Sequence, residues 1–145
     1  MSIIFIVLSN SPYKRLDPDI PLVIPGVNQH ILVPDTKYCK SPGCCTIGCS
    51  LGIKPIHDHF IIYEVHVTTF QSLSGRGDAL YSNDVVVGNI YPIGKTQENQ
   101  ENYIRDEIKK LFELPDLLIS VSAQRVYVQR NHSLVIFYSL LLGSY

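Results

Sequence analysis

At 145 residues, with 46% hydrophobic side chains, a mean hydropathy of +0.12 and a formal net charge of −1, the chain is long enough to bury one core. That composition excludes wholesale disorder. A pI near 6.5 excludes both the basic footprint of a nucleic-acid binder and a polybasic membrane signal, so a small molecule or another protein surface is the expected partner.

Residues 3–8 form a continuous apolar run rich in β-branched side chains, closed by Ser9-Asn10-Ser11-Pro12. That pattern predicts a buried strand and a turn. Both this run and residues 134–142, which Ser139 interrupts, fall far short of the ~20 residues that cross a bilayer. No Lys or Arg precedes residues 3–8, and the run is shorter than the apolar region of a secretory signal. The expected location is cytoplasmic, or secreted without a signal peptide.

From Pro12 to Gly52 the prolines at 12, 18, 21, 25, 34 and 42 argue against a long helix. Short strands are expected near residues 22–24 and 31–33, and a cysteine-rich loop over residues 38–52, with a helical turn near its end. Residues 60–70 alternate as a strand, with Ile61, Tyr63, Val65 and Val67 against Ile62, Glu64, His66 and Thr68. Ser72 to Asp78 is loop by composition, and the valine-rich residues 84–90 predict another strand, as a hairpin partner or beside a crossover. The firmest element is a helix: Ile104, Ile108, Leu111 and Phe112 make one apolar stripe, Asn99 or Asn102 caps it and Leu114-Pro115 ends it. Residues 125–129 alternate as a strand, and residues 133–142 fit a strand or a short buried helix equally well.

The four cysteines, Cys39, Cys44, Cys45 and Cys49, lie close together. With His57 and His59 they could hold zinc, but the spacing sits at the edge of zinc-site patterns; free thiols or a local disulfide are the alternative. His57-Asp58-His59 with Glu64 and Pro92-Ile93-Gly94 is similar to the cupin metal pattern, although Gln97 stands where a further histidine belongs. Arg76-Gly77-Asp78 reads as a charged turn and Asn131-His132-Ser133 as a glycosylation sequon. No nucleophilic triad, P-loop or dinucleotide fingerprint stands out, and neither a metal nor a cofactor is expected.

Four landmarks in order carry a family resemblance. They are the opening from Phe5 to Pro12, Gly52-Ile53-Lys54-Pro55 leading to Glu64-Val65-His66-Val67, Ile93-Gly94-Lys95, and Ser122 to Val128. Together they resemble the macrophage migration inhibitory factor/tautomerase family over roughly residues 51–129, with residues 13–50 and the tail 130–145 atypical. The resemblance implies one α/β domain over residues 1–145. Its mixed sheet and packed helix follow a β-α-β repeat whose first helix is replaced by the Cys/Pro-rich loop, assembled as a homotrimer. It implies a small pocket for a keto/enol carboxylate, with Lys54 pairing the carboxylate, Ile93 offering its backbone N–H and an apolar wall, Tyr127 a phenol at the rim, and Gln129 an amide. Ile3 stands where the family's catalytic proline falls, leaving the catalytic residue unassigned and phenylpyruvate tautomerase (isomerase) activity weak or absent, with cytokine-like protein binding the other expected role. A non-enzymatic interaction domain built round the Cys loop, or a cupin-like metal enzyme, is the alternative.

Overall fold

A computed structural model of the chain describes residues 5–76, 82–94 and 98–141. The main sheet has four strands in the order β4-β5-β3-β6, where β3 is Ile61–Gln71, β4 Tyr91–Pro92, β5 Leu118–Arg125 and β6 Ser133–Leu141. Strands β3 and β5 run parallel from Glu64 opposite Leu118 to Gln71 opposite Arg125. β6 lies antiparallel on the other side of β3, and β4 antiparallel to β5. A second, two-stranded parallel sheet pairs β1 (Val7–Ser9) with β2 (Tyr38–Lys40).

Two helices cover one face of the main sheet. The alternation of β3 sends Val65 and Val67 to that face, and a register shift between Ile62 and Glu64 brings Ile62 there too. They meet Cys45, Cys49 and Ile53 of α1 (Cys44–His57) and Ile104 and Ile108 of α2 (Gln100–Phe112). α2 forms as its apolar stripe predicts. Asn99 stands at its N-cap with a left-handed φ of 46° and accepts from the Asn102 side chain at 2.6 Å; Glu113 ends it with a left-handed φ of 56°. The segment before β2 adds a satellite core, Leu22, Ile24 and Val27 against Leu111.

α1 corrects the expectation of a cysteine-rich loop. Gly48, Gly52 and Pro55 lower its intrinsic propensity, yet Cys45, Cys49 and Ile53 recur every fourth residue and bury one stripe. The glycines serve close packing: a Cβ at Gly48 would stand 2.6 Å from Leu134 Cδ1, so the helix lies directly on β6. Pro55 sits in the last turn and forgoes the ladder bond to the Leu51 carbonyl, a cost the buried stripe must offset.

Other expectations shift as well. Residues 84–90 are no strand: a 3-10 turn at Asn83–Val85 leads to a bend at Gly88, whose φ is +67°. The strand placed at residues 125–129 lies upstream, Arg125 being its last residue. Residues 22–24 make one bridge, Leu22 to Lys40, and Ile31 closes a 3-10 turn. Residues 133–142 resolve as a strand through Leu141. In the opening run, Phe5, Ile6, Val7 and Leu8 are exposed rather than buried; Ile3 and Ile4 fall outside the described residues. An open sheet backed by helices is not a cupin barrel. Among the described residues no helix is long and apolar enough to cross a membrane.

Candidate active site

The chain turns into α1 through Ser41-Pro42-Gly43, and Gly43, at the N-cap, has no side chain with which to cap the helix. A carboxylate from α2 does so instead. Glu107, fully buried, accepts the Gly43 N–H at 2.9 Å and the Thr46 hydroxyl at 2.5 Å, while Arg15 Nη1 donates to its other oxygen at 3.1 Å. Cys44 therefore stands on the first turn of a helix, where the macrodipole and free N–H groups favour a thiolate.

His132 reaches the same point from the far side of the sequence. β6 begins at Ser133, opposite Phe70 of β3, which sets His132 beside Ser72. The Ser72 backbone N–H donates to His132 Nδ1 at 3.0 Å, and Nε2 lies 3.3 Å from Cys44 Sγ. An Nδ1 that accepts leaves the proton of the neutral ring on Nε2, aimed at the sulfur. Ser72 is itself held: its carbonyl accepts from Arg125 Nη1 at 2.7 Å and from the Gly75 N–H at 3.2 Å. Arg125 is fully buried and ion-paired with Glu98.

This setting separates the four thiols, all of them free. The Cys45 S–H bonded to the Cys44 sulfur, and then the His132 ring, outweigh desolvation and lower the Cys44 pKa from 9.0 to about 5. The same contact raises Cys45. Burial raises Cys39 and pushes Cys49 up to about 12. Cys44 is also the exposed one of the four. A low-pKa, accessible thiol with an imidazole on its sulfur is the arrangement of a cysteine nucleophile.

A cavity of about 280 Å³ opens beside it, its walls including Arg15, Gly43, Cys45, Gly75, Glu98 and Glu107. Arg15, one of its wall residues, is ion-paired with Glu107, and its Nε is buried without a hydrogen-bond partner. Cys44 and His132 themselves stand off the cavity walls; a larger opening of about 600 Å³, between α2 and residues 16–31, has no cysteine on its walls.

The residues singled out through the tautomerase resemblance lie elsewhere. Lys54 is on the last turn of α1, paired with Asp58. Ile93 is buried after β4, its N–H donating to the Ala123 carbonyl at 2.9 Å. Tyr127 is exposed in the segment between β5 and β6, and the Gln129 carbonyl accepts the Ser74 N–H at 3.1 Å. None of the four lines the cavity beside Cys44. Sequence reasoning offers Cys44 only as a free thiol or zinc donor and misses it as a nucleophile, and it misses His132, Arg15 and Glu107. A turn of Ser-Pro-Gly followed by cysteine was the available signal for the first; His132 had been read only as part of a sequon.

A nucleophilic-cysteine site on a helix-backed mixed sheet is thus the class defined by fold and geometry. No protein-family model matches the chain. It is similar to aspartate-semialdehyde dehydrogenase of Methanothermobacter thermautotrophicus, 32% identical over 94% of this chain and 44% of that protein. It is also similar to a malonyl CoA reductase (NADP) of Metallosphaera sedula, 28% identical over 88% of this chain and 41% of that one. Among solved structures, aspartate semialdehyde dehydrogenase II of Vibrio cholerae superposes with a TM-score of 0.79 at 27% identity, over 93% of this chain and 48% of that one. The Candida albicans enzyme with NADP shares the fold, with a TM-score of 0.76 at 23% identity, over 97% of this chain and 45% of that one. The chain spans about half the length of the relatives it matches. These likenesses overturn the macrophage migration inhibitory factor resemblance, and with it the tautomerase, isomerase and cytokine readings. The landmarks behind it were short and individually unspecific, and one fell in an element of another kind: Gly52-Ile53-Lys54-Pro55 is helix, while Val126 to Val128 of the last landmark lie beyond the end of β5.

Proposed function

We propose that this chain carries the thiol chemistry of an aspartate-semialdehyde dehydrogenase-like oxidoreductase. The observation that supports it most is the Cys44 Sγ to His132 Nε2 contact of 3.3 Å, between residues 88 apart in sequence. The names of the relatives pair an aldehyde with an acyl-CoA, and a cysteine sulfur handles both, as a thiohemiacetal and as a thioester.

The Cys44 thiolate adds to the carbonyl carbon of a small aldehyde, a carbon–sulfur bond forms, and the carbonyl electron pair moves to oxygen. The Nε2–H of the neutral His132 ring donates a hydrogen bond that stabilises the negative charge on that oxygen, and solvent supplies the proton that completes the thiohemiacetal. Arg15, through its unpartnered Nε, is suited to a substrate carboxylate. The carboxylates Glu98 and Glu107 on the same walls are already paired with Arg125 and Arg15, so they leave no net negative charge to compete with a substrate carboxylate. A small aldehyde that carries a carboxylate matches that arrangement.

The described residues do not fit a dinucleotide. Its pyrophosphate needs a cradle of free backbone N–H groups on a strand–glycine turn–helix element. Here β1 runs into Ser9-Asn10-Ser11-Pro12 and further turns, while the Gly43 N–H at the start of α1 is taken by Glu107. NADP, which two of the relatives name, therefore enters no step here.

The test is the alkylation of Cys44 by iodoacetamide. Aspartate semialdehyde is expected to slow it by reversible adduct formation, and Arg15→Gln to weaken that protection. Ordinary alkylation kinetics with no protection at any semialdehyde concentration would dismiss the proposal.

A further inference from the structure

Cys44, Cys45 and His132 do more than form a nucleophile. Among the described residues theirs is the cluster whose ligand atoms, two sulfurs and one ring nitrogen, all lie within 4.8 Å of one another. In a tetrahedral zinc site, bond lengths of about 2.3 Å to sulfur and 2.0–2.1 Å to nitrogen put neighbouring donors roughly 3.5–3.8 Å apart. Cys44 Sγ and His132 Nε2 are already at 3.3 Å. From these positions we infer that the three residues bind one thiophilic divalent cation of the Zn²⁺ class, and that the bound ion blocks the Cys44 sulfur.

The chemistry of the donor set favours this ion. Two thiolates and an imidazole suit Zn²⁺ rather than a hard cation, and three protein ligands leave a fourth position for water. Cys44 is exposed, so the ion enters from solvent, and Cys45, buried behind it, supplies the inner ligand. Binding releases the thiol proton of Cys45, and no electron transfer is involved. The outer shell is also in place. When Nε2 binds the metal, the ring proton moves to Nδ1 and is accepted by Ser72 Oγ, 3.2 Å away, in exchange for the Ser72 N–H contact. Ser72 Oγ lies 3.0 Å from Ser74 Oγ, which gives the hydroxyl a second partner. The zinc grouping suggested by sequence, with His57 and His59, is replaced: those histidines lie at and beyond the far end of α1 from Cys44.

The inference uses the same Cys44–His132 pair as the proposed reaction but does not depend on turnover. The experiment titrates Co²⁺ and Zn²⁺ into the reduced, metal-free full chain. One Co²⁺ per chain is expected, with thiolate-to-cobalt charge-transfer absorption that falls by half in Cys45→Ser and in Cys44→Ser. Zn²⁺ is expected to slow Cys44 alkylation and a chelator to restore it. His132→Ala should weaken Zn²⁺ binding by more than about tenfold, since loss of even an outer-shell partner costs about 10–100-fold. Cys44→Ser, at an exposed position, keeps the test decisive if the buried Cys45→Ser does not fold. Metal binding without charge-transfer absorption, or with equal affinity in Cys44→Ser and His132→Ala, would overturn the inference, whether or not the semialdehyde reacts.

Discussion

Gly75→Ala isolates the contribution of His132 to the cysteine. A Cβ built on Gly75 would lie 2.7 Å from His132 Cε1 and 2.9 Å from Nε2. Non-bonded carbons rest at about 3.5–4.0 Å, so the ring must retreat by about 0.8 Å or more. The Cys44 Sγ to Nε2 contact, now 3.3 Å, then opens to about 4 Å and ceases to be a hydrogen bond. Gly75 does not occupy the left-handed region and is exposed, so alanine brings no backbone strain, and fold stability should change by only about 0.5 kcal/mol. With the ring withdrawn only the hydrogen bonds from Cys45 offset desolvation of the thiolate, and each unit by which the thiol pKa rises above 6 costs about tenfold in thiolate at pH 6. The iodoacetamide rate constant of Cys44 at pH 6 should accordingly fall by about 10- to 100-fold, with an unchanged melting midpoint. A rate within about twofold of the parent protein would refute the claim that His132 tunes this sulfur.

Other expectations follow from the same contacts. The alkylation rate of Cys44 should be flat above pH 6 and fall as pH drops through about 5, because the thiolate is the reactive form and its folded pKa is depressed; a midpoint near 8–9 would contradict the assignment. Peptide mapping after alkylation of the folded protein at pH 6 should find Cys44 modified while Cys39, Cys45 and Cys49, raised by burial or by their neighbour, remain intact. Glu107→Ala leaves Arg15, the Gly43 N–H and the Thr46 hydroxyl without their shared acceptor and should cost about 3–5 kcal/mol in urea unfolding. Gly48→Val drives a branched side chain into Leu134 and should cost about 1–3 kcal/mol by the same measurement.

What the sequence disclosed follows physical range. α2 was legible because its stripe, caps and terminating Leu114-Pro115 are all local, and β3 because Val65 and Val67 alternate cleanly with polar neighbours. α1 was not, since its glycines and Pro55 read locally as turn; what makes it helical is the tight fit of Gly48 on Leu134 and the burial of Cys45, Cys49 and Ile53. The site was hidden for the same reason. Cys44 and His132 meet only after β6 pairs with β3, and nothing near His132 in sequence announces a partner 88 residues away. The tautomerase resemblance failed because short hydrophobic landmarks in similar order recur among unrelated α/β chains, while the residues that distinguish them are joined only in three dimensions.

The borrowed cap on α1 ties chemistry to assembly. Because the carboxylate that seats the start of that helix comes from a residue 64 positions later, and the imidazole from further still, a chain emerging from the ribosome carries four ordinary thiols. The sulfur acquires its full nucleophilic character only when α1 has formed, which sets the Cys45 S–H against it, and β6 has docked with His132, so an incompletely formed protein has a blunter thiol to spend on peroxides or stray electrophiles.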